Sequence, residues 1–377
     1  MKGKQGLVCM GLLLVLSSCH TGKQITASGL QRKDFQTEVN GQHTDLFTLS
    51  NKQGMEVCIT NYGARVVSIL VPDRNGKRED VVCGFSTITE YMEQRQNFGS
   101  TVGRYIGRIL NARFTLDGVE YKLVPNNGKS GHISHGGNPG FADRIWKVEQ
   151  ADTHRVCLSY LSPDGENGFP GNLKVTLVYS LGEDDNALDL TYEATTDAPT
   201  VLNLSHHSFF NISGNFTKSV EDQQLWVDAD RFTPYDDKKC VTGEYLPVAG
   251  TPLDFRMPHT IGECIDADHP QLKVVNGYDH TWELNTKGDD TRPAAWVYDP
   301  ASGRKMEIFT TEPGIQIYTG NGLKGKMTGK RGIAYPFRSA VCFETMHFQD
   351  SPNQPGFPST VLRPGEVFRS HTVYKFE

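Results

Sequence analysis

Hydrophobic positions alternate with polar ones along most of this chain. Met55, Val57 and Ile59 follow that rule, as do Val175, Leu177 and Tyr179, and Leu188, Leu190, Tyr192 and Ala194. A period of two marks half-buried β-strands. Asp117-Gly118 lies between two such runs in FTLDGVEY, a hairpin signal because both turn positions favour positive φ. Turn clusters such as PDRNGK, SPDGENGFPGN and LGEDDN recur throughout. TITEYMEQRQ alone reads as a short helix. Many short strands in one unbroken pattern predict an all-β chain, a large antiparallel sandwich or barrel. Neither a linker nor an internal repeat interrupts the pattern after residue 40, so residues 41–377 read as one domain.

The beginning of the chain breaks this grammar. MKGKQ carries two lysines and no acid, GLVCMGLLLVL is apolar but too short for a comfortable membrane span, and LSSC follows. Charge, length and order are those of a signal peptide. Leu16-Ser17-Ser18-Cys19 resembles the bacterial lipobox, in which cleavage leaves the cysteine as the lipidated first residue. Residues 1–18 are therefore expected to be a lipoprotein signal peptide, Cys19 the lipidation site, and polar residues 19–40 a tether. The expected location is the bacterial cell envelope, lipid-anchored on the periplasmic or cell-surface side, with no other membrane contact.

Composition narrows the function. The 38 basic and 44 acidic residues form no basic patch, so nucleic acid is not an expected partner. Cysteines 58, 83, 157, 240, 264 and 342 form no CxxC pair, which argues against a cysteine zinc site, and several sit in apolar runs as buried free thiols. Walker, HExxH, GxSxG and dinucleotide fingerprints are all missing from the sequence. No metal and no cofactor are expected.

Five stretches look unlike scaffold. GKSGHISHGGNPGF places His132 and His135 among glycines, but two histidines do not make a metal site, which needs at least three convergent ligands. In GRYIGRI, Arg108 stands at a strand edge among small and apolar residues, where it must be paired or face a cleft. In SHHSFF, His206 and His207 point to opposite faces of a strand, so one faces a site and the other is structural. NGYDHTWEL sets Asp279 and His280 beside an aromatic residue. Glu344 ends the apolar run AVCFE, costly for a carboxylate unless it is paired, exposed or tuned for use.

Taken in order, GRYIGRI with FTLDGVEYKL, SHGG with GFADRIW, SHHSFFNI, GYDHTWEL, PGIQIYTGNGL and CFETMHFQDSPNQPGFPSTVLRPGE resemble the motifs of the galactose mutarotase (aldose 1-epimerase) family. The resemblance spans most of residues 45–376. It implies a large antiparallel β-sandwich, the galactose mutarotase-like supersandwich. It also implies cofactor-free interconversion of the α and β anomers of free aldohexoses such as galactose or glucose. Opening the hemiacetal ring removes a proton from the C1 hydroxyl and delivers one to the ring oxygen, work suited to carboxylate and imidazole. By resemblance, Glu344 is the base and His207 the acid, and a neighbouring carboxylate is expected to keep the histidine protonated. Arg108, His135, Asp279 and Gln316 match positions that hold sugar hydroxyls or the ring oxygen. The glycines beside His135 are expected to let backbone approach the sugar. His132 matches no role and reads as a loop residue; Trp146 and Trp282 read as core.

Three departures bear on specificity. Gly107 stands where many relatives carry asparagine, Ser134 where leucine is usual, and His206 where asparagine is usual. The first leaves one sugar contact in doubt. The competing reading is a non-catalytic carbohydrate-binding lipoprotein on the same scaffold. It would keep Arg108 and Asp279 but have no need of both Glu344 and His207, and both are present.

Overall fold

The computed structural model describes residues 24–377. The signal peptide and Cys19 lie outside these residues. The alternating runs become strands of three main antiparallel sheets. In the nine-stranded sheet, Lys147–Ala151, Arg155–Ser162, Leu173–Leu181 and Ala187–Thr196 follow in chain order. The C-terminal strand Phe368–Phe376 comes next, followed by Lys305–Thr310, Ala295–Tyr298, Gln224–Val227 and His259–Thr260. The six-stranded sheet runs Phe209–Phe210, Val341–Met346, Gly314–Tyr318, Asp279–Glu283, Arg231–Thr233, Leu246–Pro247. The four-stranded sheet runs Leu46–Ser50, Glu56–Thr60, Arg65–Pro72, Arg78–Asp80.

Period two decides which side of each strand is buried. Leu173, Val175, Leu177, Tyr179 and Leu181 all face inward from one strand, and Lys174, Thr176, Val178 and Ser180 between them lie on the other, less buried face. They join Val57, Ile59, Val66 and Ile69 of the four-stranded sheet, and Ile315, Ile317, Val341 and Phe343 of the six-stranded sheet, in one core. The sheets thus face one another as a sandwich. Each such side chain contributes roughly 1.5–3 kcal/mol when fully buried. Trp146 and Trp282 are fully buried in this core.

The six-stranded sheet departs from the half-buried rule in its central strands. Every residue of Val341–Met346 is buried. Val341 and Phe343 enter the core, and Cys342, Glu344 and Met346 point to the opposite face, which other segments cover. A strand covered on both sides must be nearly all apolar, which is why Glu344 is conspicuous in it.

Local signals behave as their chemistry demands. Leu116 pairs with Val119 across Asp117-Gly118, both at positive φ. Thr87 and Glu90 form a reciprocal capping box on the helix Ile88–Gln94, which ends at Arg95 in the left-handed conformation. A second helix, Pro270–Val275, is too short to show a 3.6-residue period. The tether is corrected in part. From residue 24 onward the segment packs on the domain: Leu30 and Phe35 are buried, and Arg32 pairs with Asp45. Two apolar anchors and one ion pair carry no period, so the segment looked like a polar linker.

Candidate active site

Cross-strand register builds the site. Phe209, Cys342, Tyr318 and Asp279 pair in one row across four strands of the six-stranded sheet. Glu344, Gln316 and Thr281 form the next row, and Met346, Gly314 and Glu283 the row after it. Directly paired side chains share a face, so three segments far apart in sequence present Glu344, Gln316 and Asp279 to one cleft. The cleft is half open and encloses about 250 Å³. That lies below the ~300–1,000 Å³ typical of drug-sized ligands and suits one small molecule.

His207 reaches the cleft from the strand Ser205–His207, which pairs with Ser100–Val102. Its ring stacks on Phe209, with centroids 5.0 Å apart and planes 13° apart. The edge of His135 meets it with centroids 5.5 Å apart. Its Nε2 lies 3.4 Å from Glu344 Oε1, and both side chains are buried, at 8% and 5% exposed. His206 turns the other way. Its Nε2 is 2.6 Å from Ser208 Oγ and its ring approaches Tyr179, a structural placement.

GRYIGRI and HISHGG meet in space because Ile109 pairs with Ile133 and Arg108 with Ser134. Arg108 and His135 therefore line the same wall of the cleft. The glycines have a different job from the one expected. A Cβ on Gly136 would stand 2.0 Å from the carbonyl oxygen of Gly103, and Gly136 has φ of +77°. A Cβ on Gly137 would strike Asn167. Gly136 packs backbone against backbone and Gly137 packs against the Asn167 side chain, and both hold the turn that carries His135 in place. His132 is likewise no free loop residue. It is buried, accepts the N–H of Asn111 at Nδ1 and sits 3.2 Å from Cys240 Sγ through Nε2. It pins two loops together and takes no part in a metal pair with His135.

Gln316 Nε2 donates to Asp279 Oδ1 at 2.7 Å, and Thr281 Oγ1 donates to Gln316 Oε1. The amide is thus locked and holds the Asp279 carboxylate in the cleft. Arg108 is absorbed into the same wall, over the ring of Tyr235. By contrast Arg104 lies buried in a cage that includes the carbonyls of Pro170 and Gly171 and the hydroxyl of Ser162. The two arginines of one motif divide into a structural and a cleft residue.

Sequence reasoning missed Gln349 and Tyr235. Gln349 Nε2 donates to Tyr235 Oη at 2.7 Å, and Gln349 Oε1 accepts the backbone N–H of Arg108 at 3.2 Å. The signal was Gly107. A Cβ there would lie 2.5 Å from Gln349 Cγ. Gln349 fills the space a side chain at position 107 would need, and its amide stands where that departure had left a contact in doubt.

Burial dominates the electrostatics. It pushes the Glu344 carboxyl well above the usual carboxylate range, with Asp279 adding to the rise. It also pushes His207 well below the usual imidazole range, helped by His135 and His206. His135 is lowered to about 4 by burial and then by Arg108. Burial raises Asp279 too, and Arg108 and Gln316 pull it back. The expectation that Glu344 would keep His207 protonated is thus corrected, because burial drives both partners toward their neutral forms. Burial of both groups brings the two one-proton arrangements, imidazolium–carboxylate and imidazole–carboxylic acid, closer in energy. Such a pair can accept a proton at one oxygen of a bound molecule while delivering another nearby. His207, Cys342 and Glu344 also bring three buried donor atoms within 4.8 Å of one another.

The chain matches known proteins over most of its length. The family model for aldose 1-epimerase matches residues 45–375. Galactose mutarotase of Sus scrofa is 39% identical over 330 residues, covering 88% of this chain and 93% of that protein. Aldose 1-epimerase of Escherichia coli K12 is 36% identical over 340 residues, covering 89% and 96%. Among solved structures, an aldose epimerase homologue from C. elegans superposes with a TM-score of 0.81 at 31% identity, covering 89% of this chain and 99% of that one. Galactose 1-epimerase from Lactobacillus acidophilus NCFM superposes with a TM-score of 0.79 at 28% identity, covering 90% and 96%.

Proposed function

The chain belongs to the aldose 1-epimerase family, and on that premise we propose how its cleft interconverts the α and β anomers of a free aldose. The Glu344 carboxylate takes the proton of the C1 hydroxyl. As the C1 carbonyl forms, the bond from C1 to the ring oxygen breaks, and the His207 imidazolium delivers its proton to that oxygen. Glu344 is then a neutral acid and His207 a neutral base, the arrangement the dry cleft favours. Rotation about C1–C2 turns the other carbonyl face toward the ring hydroxyl. Closure returns a proton from Glu344 to O1 and one from the hydroxyl to His207. No net proton is gained or lost, so one pair serves both directions.

The remaining groups hold the sugar. Asp279 accepts from hydroxyls, Arg108 and Gln316 set the position of that carboxylate, and His135 borders the acid. Placement matters as much as acidity, since free aldoses already mutarotate slowly in water. The observation that carries the reading is the contact between His207 and Glu344 at 3.4 Å inside a polar cleft. It also weighs against a purely sugar-binding role, which needs no acid–base pair.

Galactose and glucose are the proposed substrates. Polarimetry of freshly dissolved α-D-galactose and α-D-glucose with the purified protein tests this. Accelerated decay of rotation, lost in Glu344→Gln, is expected; no acceleration with either sugar would overturn the substrate assignment. The lipobox sequence Leu16-Ser17-Ser18-Cys19 supports a place in the cell envelope, lipidated at Cys19 and acting on sugars before uptake. Metabolic lipid labelling with membrane fractionation tests that, and soluble, unlabelled protein would sink it.

A further inference from the structure

We propose that a soft divalent cation of the zinc class binds at His207, Cys342 and Glu344 and, while bound, shuts down the acid–base pair. The three donors are buried, and their ligand atoms all lie within 4.8 Å of one another. The separation of His207 Nε2 from Glu344 Oε1, 3.4 Å, is already that of a tetrahedral zinc edge. Bonds of ~2.0–2.2 Å to nitrogen and oxygen put two ligand atoms about 3.4 Å apart. A zinc–sulfur bond of about 2.3 Å puts sulfur about 3.6 Å from the other donors. The Cys342 side chain therefore needs to close by about 1.2 Å at most. Cys342 is two residues before Glu344 on one strand, and so is on the same face. Phe209, whose ring stacks on His207, pairs directly with it.

Charge favours such an ion. A thiolate and a carboxylate cancel the charge of a divalent cation, and neutral imidazole is the form a metal needs. Binding releases the thiol proton and the single proton shared by the pair, and these leave to solvent. The complex is neutral overall, as a dry site requires. Water completes the shell at the fourth vertex. His207 Nδ1 has no hydrogen-bond partner among the described residues. Metal-binding histidines normally have one, and its loss costs ~10–100-fold in affinity. The site thus fits an exchangeable inhibitor and not a resident cofactor. Inhibition follows because metal and proton compete for the same lone pairs of His207 and Glu344, so this half rests on the acid–base reading above. The binding half stands on geometry alone.

The experiment is titration of the purified full chain with Co²⁺, read by absorption, alongside zinc inhibition of galactose anomerisation. A thiolate-to-cobalt charge-transfer band with four-coordinate visible bands is expected, displaced by Zn²⁺ and suppressed by saturating galactose. Cys342→Ser should lose that band, keep its metal-free activity, and need about 100-fold more zinc for the same inhibition. A spectrum without the charge-transfer band, or equal zinc sensitivity of wild type and Cys342→Ser, overturns the proposal. If Cys342→Ser does not fold, the wild-type band and its suppression by galactose decide. A band with no inhibition overturns the inhibitory half, and the acid–base reading is judged separately by Glu344→Gln.

Discussion

Two histidines of this protein sit against carboxylates with opposite electrostatic outcomes. His207 lies 3.4 Å from Glu344, and the histidine is driven well below its usual pKa. His371 lies 3.2 Å from Asp189 and 2.7 Å from Asp290, and is raised to about 9. The difference is water and partner number. The first pair is almost wholly buried, so loss of hydration outweighs a single, slightly long contact. The second is about one-third exposed and sandwiched between two acids, so the imidazolium keeps part of its hydration and gains two partners. A close carboxylate therefore does not by itself make a charged histidine. One arrangement holds a fixed charge on the surface; the other keeps a mobile proton.

The largest test of this contrast removes the mobile proton's carrier. Glu344→Gln should lower kcat/KM by about 10²–10⁴, the usual worth of a positioned acid–base group. Stability should hold or rise, because a buried ionisable group is replaced by a neutral isostere; a large drop in melting temperature would make Glu344 a structural residue.

The pH profile of kcat/KM comes next. The pair works only while it holds one proton, so activity should form a bell whose limbs belong to the pair and not to either residue. The acid limb should fall below pH 6.5, where a second proton is forced onto a depressed His207. The alkaline limb should lie well above 4.5, where a raised Glu344 gives up the last one. An acid limb centred above pH 6.5 would mean that burial does not depress His207.

Asp279→Asn sharpens the comparison further. Asp279 adds to the rise of Glu344, so losing its charge should move the alkaline limb to lower pH. Its loss as a sugar ligand lowers the height of the profile but not its shape. An unmoved alkaline limb would show that burial alone tunes the pair.

The smallest effect belongs to the surface pair. The raised pKa of His371 means that its contribution to stability is complete below about pH 6.5 and is lost as pH climbs through about 9. Because the site is about one-third open to water, the contribution should be only about 1 kcal/mol. Denaturant unfolding of wild type and His371→Gln at pH 6 and pH 10 should show that gap closing at the higher pH; a constant gap would mean the histidine acts through packing.

Much of this was legible in the chain. Alternation located the long strands, because one face of each meets the core and the other meets water. Asp117-Gly118 announced a hairpin through local backbone chemistry, and TITEYMEQRQ read as a short helix. Glu344 stood out because a strand buried on both faces has no cheap place for a carboxylate. Gln349 and Tyr235 did not stand out, since nothing local marks them, and Gly107 hinted at Gln349 only as a missing side chain. The segment after residue 24 read as a tether because two apolar anchors make no period.

The sequence by itself determined which residues face inward, where the chain turns, and which side chains can carry protons. Each of those follows from neighbours one to four residues apart. Tertiary structure decided the rest. Register across three strands set Glu344, Gln316 and Asp279 on one face, and a separate strand brought His207 to Glu344. It also decided that this pair would favour neutrality while His371 stays charged. Proton affinity depends on how much water and which charges surround a group, and only the folded chain assembles those surroundings from segments more than a hundred residues apart.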